Sequence, residues 1–245
     1  MNNSDLRHEI VRNFLRRFTT CLEDDPRQAQ VAQVLQASGL SLADLRSGEH
    51  PPGFNRYYGL LERLAPLLMP DGFYLRLGQS YDILDLGVLG YAMLNASSLR
   101  ASWDISLAGS PLLPHPSRST RFEDRNRIII RLEVWSDIPE ARIALAEEWM
   151  AGTWRWIHTR LPALASDQSV ELCFPHAPPA YDRLYRSIFP GPVLFNAPHC
   201  QLSLPASCYD LPLSAANPSI SQLCLDQCDK LIHRIGAHSD LVDRL

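Results

Sequence analysis

Lysine is almost missing from this chain: Lys230 is the only one in 245 residues. Positive charge therefore rests on arginine, and Lys+Arg 23 against Asp+Glu 27 leaves a net charge of −4. A domain that grips nucleic-acid phosphates unaided carries a basic excess, so this balance argues against direct DNA binding. Long apolar runs are missing as well. None approaches the ~20 residues of a membrane span, and Asp5, Arg7, Glu9, Arg12, Arg16 and Arg17 rule out an export signal at the start. A cytoplasmic protein with no membrane partner is expected. The six cysteines (Cys21, Cys173, Cys200, Cys208, Cys224, Cys228) are scattered, which suits reduced thiols rather than a disulfide framework. There is no G-x-S-x-G elbow, H-E-x-x-H helix or acidic calcium loop. The glycines do not form a dinucleotide or phosphate loop either. Catalytic residues, metal ligands and cofactors are accordingly not assigned.

What is present is an ordinary globular composition, 46% hydrophobic and 20% charged, long enough for a sizeable core and taken here as one domain over 1–245. The densest apolar stretch runs from Leu75 to Leu99, punctuated by Gly78, Gly87 and Gly90. Leu86, Leu89, Met93 and Leu94 fall at helical spacing, so a short buried helix is predicted over 87–94, with Asp85 as N-cap and Asn95 as a left-handed C-cap. Glycine inside a helix costs about 1 kcal/mol relative to alanine. Close backbone packing against a neighbouring element is the expected offset.

Around this hub the periodicities are mostly helical. Leu6, Ile10, Val11, Phe14, Leu15 and Phe18 form a stripe over about 5–21. Pro26 opens a second helix that Gly39 stops, and Ser41 caps a short third one. That pair has a helix-turn-helix outline, but Ala43, Asp44 and Arg46 offer few donors for bases or phosphates, so packing is the better account. A further helix spans Tyr57–Leu68, and another starts from Ser97 or Ser98 as cap. Arg121 to Trp135 alternates with period 2, a half-buried strand. Pro139 begins a long helix to Ile157. Short strands are expected at 170–174, 193–195 and 200–204, a short helix near Tyr181–Ile188, and a last helix capped by Ser219. The fold class is α+β: a helical N-terminal half packed on a mixed β-sheet, with a C-terminal helix.

The later half carries a recognisable order of pieces. Val170-Glu171-Leu172-Cys173-Phe174-Pro175-His176 precedes Tyr181, Tyr185 and Phe189. Pro192-Val193-Leu194-Phe195 follows, then Leu202 and Leu204, and Leu211-Pro212-Leu213. With Leu75-Arg76-Leu77-Gly78 and Gly87-Val88-Leu89-Gly90-Tyr91-Ala92, this resembles the N-terminal effector-binding and dimerisation domain of arabinose-binding-like AraC/XylS-type transcription regulators. The resemblance implies a small-molecule effector, a homodimer, and DNA contact only through a pair of helix-turn-helix motifs C-terminal to Leu245. The present sequence does not contain them.

Candidate side chains follow. Arg131, beside alternating apolar positions, suits an acidic effector. Trp135, with Trp103, Trp149, Trp154 and Trp156, is expected in the core or along an apolar pocket. His176 and Tyr181 are candidates from their place in the matching segment. Leu223, Leu231 and Ile235 make a possible dimer seam on the last helix. Glu147-Glu148 are expected on a solvated edge, since adjacent residues do not share a helix face. Two other functions stay open: a small cytoplasmic enzyme using Cys173, His176, His199 and Cys200 with zinc or as thiols, and a stand-alone interaction protein that antagonises full-length regulators through mixed dimers.

Overall fold

The computed structural model describes residues 3–49, 51–113, 115–214 and 216–242, with side chains over 6–234 of these. The apolar stripe of α1 (Asn3–Leu22) is buried from Leu6 to Phe18. In α2 (Gln28–Ala37), Val31 and Leu35 face inward. Ser41 and Asp44 then exchange hydrogen bonds in a capping box that starts α3 (Leu42–Ser47), and Gly48 at φ +59° ends it. Asp44 is thereby used in the cap and Leu45 in the core. This helix pair is spent on packing. α4 (Phe54–Leu68) buries Leu60, Leu61, Leu64 and Leu68.

The hub comprises α5 (Phe73–Ser80), a 3₁₀ turn at Ile83–Leu86, α6 (Val88–Leu94) and α7 (Leu99–Ala108), the last capped by Ser98. Two caps differ from expectation. Asp85 does not cap α6, whose N-cap is Gly87 with no side-chain hydrogen bond; the buried Asp85 carboxylate closes the capping box of the preceding turn on the Asp82 amide and accepts from Nε and Nη2 of Arg17, at 3.0 and 3.2 Å. That ion pair ties α1 to the hub. Asn95 keeps φ −93° and is not left-handed. The glycines do what their cost requires. A Cβ at Gly90 would lie 1.9 Å from the Ile83 carbonyl oxygen, and one at Gly78 2.2 Å from that of Glu148.

The sheet has five strands in the order β1-β2-β5-β3-β4: β1 (Ser117–Asp124), β2 (Arg127–Val134), β3 (Glu171–Cys173), β4 (Val193–Leu194) and β5 (Cys200–Pro205). Every neighbouring pair is antiparallel except β3 with β4. The single strand expected over 121–135 is instead the hairpin β1-β2. The polar run Glu123-Asp124-Arg125-Asn126 breaks the apolar alternation, and Arg125 takes φ 49° at the reversal. Ile128, Ile130 and Leu132 of β2 face the core with Leu202 and Leu204 of β5. α8 (Pro139–Arg160) packs against α4 and α5 and also against β2, so it joins the helical half to the sheet. α9 (Asp182–Ile188) follows β3. α10 (Pro218–Val242) packs on α6, and Asn217 rather than Ser219 caps it, its side-chain oxygen accepting from the Ile220 amide at 3.2 Å. The α+β class with a mixed sheet is what the periodicities predicted.

Gly78→Ala tests the hub. Its Cβ would collide with backbone, which cannot rotate away, so the urea midpoint should fall by the equivalent of at least about 2 kcal/mol. An unchanged midpoint would mean that the approach of α5 to α8 is not tight.

Candidate functional site

Glu147 and Glu148 are buried, at 0% and 2% exposure, which corrects the expectation of a solvated edge. Neighbours on a helix point roughly 100° apart, so each enters a different part of the interior. Both sides of α8 are covered, by helices and by sheet, and no solvated edge is left there.

On one side, Glu147 Oε1 accepts from the hydroxyls of Tyr181, at 2.7 Å, and Tyr185. Burial pushes this carboxyl up to about 7 against the pull of both phenols. His176 joins the group: its Nε2 lies 3.3 Å from the Tyr185 hydroxyl and its Nδ1 2.9 Å from the Ala177 carbonyl. Trp154, fully buried nearby, donates its indole N–H to the Ile188 carbonyl at 2.9 Å.

On the other side, Glu148 lines a cavity of about 690 Å³ between the helical half and β1. The Tyr81 hydroxyl donates to Glu148 Oε1. Tyr57 lies 3.2 Å behind it, and with the Tyr81 proton committed, Tyr57 is the donor in that pair. Burial raises the Glu148 carboxyl to about 7, opposed by the Tyr81 hydrogen bond. Its second oxygen has no hydrogen-bond partner among the described residues. Trp103 meets Trp149 edge-on at 6.0 Å and stacks on Trp156 at 6.1 Å, and all three line the cavity. The indole N–H groups of Trp103 and Trp156 are buried without partners among the described residues. Phe14, Tyr58 and His115 continue the aromatic wall, with His115 edge-on to Tyr58 at 4.4 Å. Burial holds the His115 imidazole neutral, lowering it to about 3. The opposite wall is polar: Ser117, Ser119 and Arg121 lie on one face of β1, and Arg118 is exposed beside them. Arg121 is engaged with Asp104 and with the Tyr209 hydroxyl.

The predicted site residues do not converge. Trp135 borders the cavity at 59% exposure. His176 and Tyr181 meet around Glu147 instead. Arg131 lies on the other face of β2, its guanidinium 4.8 Å over the Phe122 ring, and is not among the cavity-lining residues. On α10, Leu231 is fully buried in the chain's own core, so it is not free for a seam. Leu223 is 69% exposed, and Ile235 lies outside the residues whose side chains are described. Burial also pushes the Cys173 and Cys200 thiols up, which disfavours the thiolate a nucleophile requires. The polar wall of β1 was missed because Ser117-Arg118-Ser119-Thr120 has no apolar alternation to announce a strand.

This architecture defines a class. Residues 29–213 match the model of the arabinose-binding N-terminal domain of AraC transcription regulators, and the chain belongs to that family. It is 27% identical over 171 residues to an ornithine utilization regulator of Pseudomonas aeruginosa, covering 69% of this chain and 49% of that one. It is 25% identical over 220 residues to an uncharacterized HTH-type transcriptional regulator of Mycobacterium tuberculosis, covering 87% and 63%. The fold resembles that of the transcriptional regulator CdpR from Pseudomonas aeruginosa, with a TM-score of 0.60 at 18% identity over 83% of this chain and 64% of that one. The chain thus spans about half to just under two thirds of the length of these regulators. Among the described residues no helix is long and apolar enough to cross a membrane.

The two buried carboxyls make a stability prediction. Both titrate above the unfolded value of about 4.3, so the folded state holds protons that the unfolded chain releases as pH rises. Their contribution is full below about pH 4 and is lost as pH climbs to 7, on the order of a few kcal/mol in total. A Glu147→Gln, Glu148→Gln double variant should lose less stability than wild type between pH 5 and 7.5 in urea titrations. Equal losses would contradict it.

Proposed function

We propose that this chain is the sensing unit of a transcription regulator, with a small effector seated in the cavity between α7, α8 and β1. The single observation that carries this is the cavity itself: a volume suited to a small molecule, a lining rich in tryptophan and tyrosine, and a few buried polar groups with no partner among the described residues. Membership of the arabinose-binding AraC family supports the regulatory assignment. An occupant would touch the helical half and the sheet at once. It therefore acts by stabilising one arrangement of these parts over another, the requirement for any ligand-driven switch.

The output runs through self-association and through DNA-reading motifs outside this sequence, in keeping with the acidic balance. Trp135, at the rim, is the one sequence-predicted residue kept as an effector contact. The dimer surface is formed by Leu223 and by Ile220, which is 42% exposed on the same helix, without the buried Leu231.

Two tests follow. Ser106 lines the cavity from α7 and is half-buried, so Ser106→Trp can fill the space without disturbing the core. A library of metabolite-sized compounds is screened by ligand-observed NMR, and binders should be lost in this variant. No binder lost on Ser106→Trp would overturn the effector cavity. Separately, Leu223→Glu should convert a dimer to a monomer by light scattering with an unchanged circular dichroism spectrum. A persistent dimer would exclude this face of α10.

A further inference from the structure

We propose that the cavity's ligand is an organic ammonium compound whose charged nitrogen pairs with Glu148 while its body packs on Trp103, Trp149 and Trp156. This rests on the effector-cavity reading and narrows it to one class of chemistry.

Charge is the first ground. Glu148 is the one acidic residue lining the cavity that is itself buried; Asp82, the other, is exposed at the rim. Among the described residues Glu148 has a single hydrogen-bond partner, the Tyr81 hydroxyl, and no cation is paired with it. A buried carboxylate lacking a cation is costly, and a ligand cation removes that cost on binding.

The walls are the second ground. Tryptophan and tyrosine faces attract a cation through their ring quadrupole, most strongly when the site is dry. The cavity is lined by four tryptophans, Trp135 at its exposed rim, and by two tyrosines, and Glu148 is its one buried acid among the described residues. An anion would meet Glu148 as a like charge. Arg121 is already held by Asp104 and Tyr209, Arg118 is exposed at the rim, and His115 is uncharged. A neutral sugar could donate to the free Glu148 oxygen but would gain nothing from the rings' attraction for charge. The unpartnered indole N–H groups of Trp103 and Trp156 suit an acceptor atom elsewhere on the same ligand.

Binding is then linked to pH, because an ammonium ion holds Glu148 ionised. The other titratable groups facing it are Tyr57 and Tyr58 from α4, Tyr74 from α5, and Tyr81, all raised well above their usual range by burial, together with neutral His115 at the cavity. Arg118, exposed at the rim, and Arg121, on its ion pair, complete the charged lining with Asp82.

The test compares phenethylamine, phenethyl alcohol, phenylacetate and L-arabinose by isothermal titration calorimetry at pH 7.5. The amine should bind at least about tenfold tighter than the alcohol, and Glu148→Gln should erase that advantage. Amine affinity should fall about tenfold per pH unit below 7. Tyr81→Phe removes the donor that holds the Glu148 carboxyl down. It should move this pH midpoint upward, a result that a folding defect would not produce. If alcohol, phenylacetate or arabinose binds as tightly as the amine and Ser106→Trp blocks it, the ammonium class is overturned and the cavity stands. Silence from all four probes also overturns the ammonium proposal. The cavity reading falls only if the wider library yields no ligand sensitive to Ser106→Trp.

Discussion

The closeness of α5 to α8 is the constraint on which the rest depends. At Gly78 a methyl group would sit 2.2 Å from the Glu148 carbonyl oxygen and 2.9 Å from the Gly152 nitrogen. A methyl group at Gly152 would in turn lie 3.3 Å from the Tyr81 ring and 3.4 Å from the Gly78 carbonyl oxygen. With the backbones this near, Tyr81, just past the end of α5, reaches the Glu148 carboxyl on α8. The hydrogen bond that orients the buried acid is therefore a product of two glycines and a helix end. Any wider spacing would open a gap between Tyr81 and Glu148 and leave the carboxyl with no donor.

From that contact outward, α8 divides the interior into two polar environments that use the same parts differently. Glu147 accepts from two phenols, one of which also meets His176, and, with the Trp154–Ile188 bond, fastens α9 to the long helix. That cluster is enclosed by Phe174 and Phe195, both packed on Tyr185, and reads as an anchor. Glu148 has a single phenol and borders open space. Two adjacent residues of one type, both raised toward neutrality by burial, thus hold a structural joint and a receptive end. The difference lies in how many donors the surrounding chain supplies.

Much of the architecture was legible because helices announce themselves by spacing. The stripe from Leu6 to Phe18, the Ser41–Asp44 cap and the long helix after Pro139 all follow from local chemistry. So did the demand that Gly78 and Gly90 be explained by close packing. The cavity was less legible. Its tryptophans were visible as candidates, but their convergence depends on how α7 crosses α8, which no local pattern encodes. β1 hid because its serines and arginines face the cavity rather than a hydrophobic layer. The burial of Glu147 and Glu148 was invisible because their donors, Tyr81, Tyr181 and Tyr185, come from 34 to 67 residues away. Arg131 misled for the complementary reason. Alternation placed it correctly on β2, but on the outer face, over Phe122. Leu231 read as a surface seam from spacing, while α6 and the core had already covered it.

The central claim is that Glu148 is a buried, single-donor carboxyl at the cavity, and its own titration tests that most directly. Carbon-13 NMR of the side-chain carboxyl, assigned through Glu148→Gln, gives its protonation midpoint in the intact chain. The account predicts a midpoint near 7. A midpoint in the ordinary glutamate range, about 4.3, would show a solvated or otherwise paired group and would contradict it.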